Sequence, residues 1–92
     1  MILVVLLVFI GCKEDPKTAL PRLINDLSSQ DKHARNSAAL SLASYGEEAR
    51  SAVPQLIKLL KDENGGVRTS AAYALRSIGD PKGIAAIDAY EK

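Results

Sequence analysis

The amino-acid sequence predicts an all-α protein: an α-solenoid of two helical hairpins plus a C-terminal half repeat, behind an N-terminal hydrophobic leader. Three observations carry that prediction. ALPRLINDLSSQDKHARNSAALSLASYG (19–46) aligns without gaps on AVPQLIKLLKDENGGVRTSAAYALRSIG (52–79), with identity at twelve of the twenty-eight positions. Within each copy the apolar residues recur at the i, i+3, i+4, i+7 spacing of one helical face. Residues 1–10, MILVVLLVFI, are apolar without a break. A fixed offset of 33 positions (Gly46 to Gly79) marks an array in which each unit buries its apolar face on the next.

From the N-terminus, residues 1–11 are the leader, 12–17 a tether and 18–92 the repeat domain, divided into 18–50, 51–81 and 82–92. Ten residues of helix reach about 15 Å, half of a hydrocarbon core about 30 Å thick. The leader is therefore too short to span a membrane. Its length and position fit the hydrophobic region of a secretory signal. Directly after it, Phe9-Ile10-Gly11-Cys12 resembles a lipoprotein lipobox, with a bulky apolar residue at −3, a small one at −1, then cysteine. That resemblance implies a Cys12 thiol alkylated with diacylglycerol, a chain cut before it, and an acylated new amine. Two or three acyl chains make detachment rare, where one alone holds reversibly. Lys13-Glu14-Asp15-Pro16-Lys17 is then a solvated tether, and the protein is lipid-anchored in a bacterial cell envelope. Phe9 stands where Leu is usual, and no Lys or Arg precedes the run. The alternative keeps the leader uncleaved, makes Cys12 an ordinary small apolar residue, and places the chain in the cytoplasm.

The first helix of each unit carries Leu20, Leu23, Ile24 and Leu27, matched by Val53, Leu56, Ile57 and Leu60. Pro21 and Pro54 are read in its first turn, where proline forfeits no intrahelical bond. A polar turn follows, with Asp31 or Asn64 placed to cap the second helix. The expected buried stripe of that helix is Ala34, Ala38, Ser41, Leu42 and Tyr45, then Val67, Ala71, Ala74, Leu75 and Ile78. Gly46 and Gly79 stand where a left-handed residue ends the helix. Asp80-Pro81 permits a new start, and Ile84, Ile87 and Tyr90 begin the half repeat.

AVPQLIKLLKDENGGVRTSAAYALRSIGDPKGIAAI resembles the HEAT-repeat family, in the short HEAT-like form also seen in phycobilisome lyases. The hallmarks are the first-helix proline, Asp62 in the turn, Val67-Arg68, the Ala-Ala-x-Ala-Leu core, and Ile78-Gly79-Asp80-Pro81. Unit one departs, with Ser29 for the turn aspartate and Ser41 for a core alanine. The resemblance implies that the recurrent Arg35 and Arg68 serve to tie units together through a turn aspartate, for which only Asp62 is present. It also implies that the second helices line the concave side of the stack.

Turning the second helix over at 100° per residue places Asn36, Leu40 and Ala43, and Thr69, Tyr73 and Arg76, opposite the core stripe. These six are the candidate partner-binding residues; Tyr and Arg are favoured at binding hot spots. Charge is balanced, with 12 basic against 11 acidic residues, which argues against a nucleic-acid groove. One cysteine and one histidine, Cys12 and His33, exclude an internal disulfide and a four-ligand Cys/His metal site. No phosphate loop, nucleotide-binding glycine fingerprint or nucleophile motif is present. Glu47-Glu48 and Asp62-Glu63 read as solvated turn residues at the unit junctions, and His33 as a surface histidine.

The function expected is that of a non-enzymatic protein–protein interaction scaffold, without cofactor or metal and with Cys12 as its lipidation site. The partner is a protein, and the exposed edge of the first unit is a further place for docking, including self-association. The alternative is a cytoplasmic accessory of a lyase-type HEAT-like enzyme system, handling a bound cofactor such as a bilin.

Overall fold

A computed structural model of the chain describes residues 15–91; the leader, the lipobox and Cys12 lie outside them. Five α-helices follow in order, α1 (Pro16–Asp26), α2 (Lys32–Tyr45), α3 (Val53–Leu59), α4 (Gly65–Ile78) and α5 (Pro81–Glu91). A 3-10 segment, Gly46–Ala52, joins α2 to α3. The described residues contain no strand. Helices α1 and α2 make the first hairpin, α3 and α4 the second, and α5 opens a third; the most extensive packing is α2 against α4, between units.

Local chemistry sets the helix starts. Asp31 accepts the His33 N–H at 3.0 Å and Asn64 accepts the Val67 N–H at 3.0 Å, as their positions in the two turns lead one to expect. Such a side-chain acceptor satisfies an otherwise orphaned helix N–H. α1 and α5 share a third device: Asp15 accepts from Lys17 N–H (2.9 Å) and Asp80 from Lys82 N–H (2.8 Å), each with proline as the first helical residue.

That cap corrects the expected tether. Pro16 and Lys17 belong to α1, so the helix begins two residues before the predicted repeat boundary at 18. Pro21 consequently lies inside α1 rather than in its first turn, while Pro54 does occupy the first turn of α3. Pro21 is exposed, and having no N–H it donates no bond back to the Lys17 carbonyl.

The C-terminal glycines differ from one another. Gly79, at φ 75° and ψ 12°, is left-handed, and its N–H bonds Leu75 O at 3.0 Å. Gly46 has φ 58° but ψ −133°, a conformation open to glycine and not the predicted left-handed cap. It sends the chain into the 3-10 segment, where Ala49 and Ala52 are buried.

Leu42, Leu56 and Leu75 are completely buried. Ala19, Ala52 and Gly83 occupy one repeated place, each four residues before a buried Leu23, Leu56 or Ile87. Small side chains there let the first helices lie close on their neighbours. On α5 a Cβ added at Gly83 would stand 2.9 Å from Leu75 Cδ2, so that place takes no side chain without a shift.

Candidate functional site

The two turns between paired helices are built alike. Ser29 Oγ accepts the Asp31 N–H at 3.1 Å in unit one, and Asp62 Oδ2 accepts the Asn64 N–H at 2.9 Å in unit two. Arg35 Nη1 donates to Ser29 O (2.8 Å) and Gln30 O (3.0 Å), and Arg68 Nη1 repeats this with Asp62 O (2.7 Å) and Glu63 O (3.2 Å). Each arginine therefore closes its own hairpin.

Arg35 does more. Its Nη2 donates to Asp62 Oδ2 at 3.1 Å, and its Nε lies 2.9 Å from Oδ1, off-line for a hydrogen bond and so acting there through charge. Both side chains are about nine-tenths buried, at 11% and 10% exposure. Burial works against the Asp62 carboxylate, but the Asn64 N–H, the Arg35 hydrogen bond and charge, and the Arg68 charge outweigh it. Together they hold the Asp62 carboxyl below its ordinary 3.8. Gln55 Nε2 adds a second bridge between units, to Ser28 Oγ at 3.3 Å.

The six predicted contact residues are not brought into one row. Leu40 (45% exposed) and Tyr73 (57%) project to solvent at equivalent places on α2 and α4, with Thr69 and Arg76 also exposed. Asn36 and Ala43 are corrected. Asn36 accepts a hydrogen bond from the Ser70 hydroxyl and Ala43 is buried, both at the seam with α4. The expected stripe is corrected at Ala34, half-buried, and at Ser41, exposed. A helical wheel places one hairpin's own core, whereas the neighbouring unit covers an additional flank. The covered flank of α2 carries Asn36, Ala39 and Ala43; its opposite flank, with Ser37 and Ser41, has no helix against it among the described residues.

On α4, which α5 also touches, the corresponding flank has no second helix of a following unit against it among the described residues. Thr69, Ala72 and Arg76 correspond to Asn36, Ala39 and Ala43, and with Arg68 and Tyr90 they line an open groove. The Asp15-Pro16 start was the signal sequence reasoning missed, although it repeats Asp80-Pro81. The seam role of Asn36 had no such signal, because the aligned residue is Thr69.

A helical hairpin repeated at this offset, locked unit to unit by a turn aspartate and an arginine, is matched by the sequence profile of HEAT repeats over residues 20–90. The chain belongs to the HEAT-repeat family. HEAT repeats commonly mediate protein–protein interaction, and the family is generally a non-catalytic scaffold. No curated protein and no solved structure matches this HEAT-repeat chain. Among its described residues, no group of three His, Cys, Asp or Glu side chains is arranged to hold a metal ion, and no helix is long and apolar enough to cross a membrane.

Proposed function

We propose that this HEAT-repeat protein is a non-enzymatic binding module, tethered by lipid at Cys12 to a bacterial cell envelope, that presents α2 and α4 to a protein partner. The observation that carries the binding surface is the pair of large apolar side chains, Leu40 and Tyr73, exposed at equivalent positions. Thr69 and Arg76 beside Tyr73 supply polar contacts around it. An aromatic anchor with an adjacent arginine is the composition of a binding hot spot. The tether rests on the ten apolar residues and Phe9-Ile10-Gly11-Cys12. Short, apolar and ending in a small residue before cysteine, that segment fits an exported lipoprotein better than a span.

Crosslinking and pull-down from native membranes, comparing the unaltered chain with Leu40→Asp/Tyr73→Ala, tests the surface. Both positions are exposed, so the variant is expected to melt like the unaltered chain and to lose its specific partner. Equal capture by both proteins removes the surface. Mass spectrometry of the membrane fraction tests the tether: a diacylated N-terminal Cys12 is expected, and a free thiol behind an intact Met1 refutes it.

A further inference from the structure

We infer that the partner of the Leu40–Tyr73 surface is a membrane-embedded protein, docked through the segment where its chain leaves the bilayer. That partner class rests on the proposed anchor and surface, and follows from the depth at which the fold holds the two side chains. α1 begins at Pro16 with Asp15 as its cap, so only Lys13 and Glu14 separate Cys12 from the folded domain. At full extension, about 3.5 Å per residue, the Cys12 and Asp15 Cα atoms are at most about 11 Å apart. The helices alternate in direction, so one edge of the domain holds the inter-helix turns, joined by Arg35 and Asp62. The opposite edge holds the start of α1 and the junctions between units. There Arg50 Nε stands 3.4 Å from Asp80 Oδ2 and ties the 3-10 segment to the start of α5. The anchored chain enters at this junction edge.

Leu40 and Tyr73 each lie five residues before the end of their helices, at Tyr45 and Ile78. Both are thus about 7.5 Å from the junction edge and about 12 Å from the turn edge. The surface belongs to the anchored half of the domain. Tether, helical rise and one interaxial spacing of about 8–10 Å keep Leu40 within about 30 Å of Cys12 in any orientation. Two side chains are also a small surface, whereas a contact stable in free solution buries about 1,200–2,000 Å². Confinement of both partners to one bilayer raises their effective concentration, so a contact this small suffices for a protein already held there. Lipid itself fits the pair less well. Lys17, Arg50 and Lys82 at the junction edge are matched by Asp15, Glu47 and Glu48, all six exposed, which leaves no basic excess to draw that edge onto an anionic bilayer.

The test is photo-crosslinking in the cells that make the protein, with the full-length chain carrying the photoreactive p-benzoylphenylalanine in place of Tyr73. Mass spectrometry identifies the crosslinked peptide. It is expected to lie within about ten residues of an apolar stretch of about 20, long enough to span the bilayer. A peptide from a protein without such a span, a peptide remote from it, or a crosslink to phospholipid overturns the proposal. A second variant lifts the domain: a helical spacer of about thirty residues, repeating Glu-Ala-Ala-Ala-Lys between Glu14 and Asp15, adds about 45 Å. The crosslink is expected to fall about tenfold with that spacer and by less with a Gly-Ser insert of equal length, which can fold back. A yield unchanged by the helical spacer overturns the proposal as well. The same spectra report the state of Cys12, which separates the failures. A diacylated Cys12 with the wrong crosslink refutes the depth alone. A diacylated Cys12 with no crosslink removes the surface, a free Cys12 thiol removes the anchor, and the partner class falls with either.

Discussion

Arg35 and Asp62, 27 positions apart, form the ion pair that joins the first hairpin to the second. Neither would be placed in a shallow interior alone. Against the burial of Asp62, the Asn64 N–H and then Arg35 and Arg68 favour its ionised form, and Asp62 compensates an arginine that is simultaneously closing its own turn.

Asp62→Ala is expected to cost about 2–3 kcal/mol, because it strands a largely buried guanidinium and removes the turn's acceptor for Asn64 N–H. Urea unfolding at pH 7 measures it. The carboxyl is held below 3.8 in the folded chain, so its contribution is complete above that ordinary value and is lost as pH falls below it through the folded value. The gap between the unaltered chain and the variant should therefore be flat from neutrality to about pH 5 and narrow below about pH 4. A gap that widens on acidification would show that Asp62 is not the group responsible.

Asn36→Ala and Ser70→Ala probe the seam itself. Each is expected to destabilise by about 1 kcal/mol, with a coupling energy of about 0.5–1.5 kcal/mol in a double-mutant cycle. Additive effects would mean that the two side chains do not share a bond in solution.

Gly83→Ala is expected to lower stability by about 1 kcal/mol, against the gain alanine normally gives in a helix. Its Cβ would meet Leu75 Cδ2 at 2.9 Å, and Leu75 is completely buried with little room to turn. A raised melting temperature would mean that α5 does not sit this close to α4.

Leu42→Ala and Leu75→Ala should each remove about 2–5 kcal/mol. A domain this small is stable by about 4–11 kcal/mol, so either change consumes a large share of that. Since α2 and α4 bury each other, each variant is expected to melt in one lowered transition, followed by circular dichroism. Two separate transitions would show that the hairpins fold independently.

The helices themselves were legible in the residues. The repeat offset, the i, i+3, i+4 spacing of Leu20, Leu23, Ile24 and Leu27, and the capping Asp31 and Asn64 are local patterns. A local pattern is decided by the chain's own period and hydrogen bonds. Leu40 and Tyr73 were placed outward correctly for the same reason, as they lie opposite their own hairpin's core. Asn36, Ala43, Ala34 and Ser41 were misplaced because their burial depends on which flank carries a neighbouring unit.

What the sequence determined alone is therefore the unit: a helical hairpin, twice, with Asp31 and Asn64 capping the second helices and Asp80-Pro81 opening a third unit. Tertiary structure alone decided which flank of each unit the next one covers. Identical positions in a repeat become chemically different when one has a neighbour and the next does not. Asn36 and Thr69 are the same place in the unit; one is sealed in a seam and the other faces a groove, because only α2 has α4 laid against it.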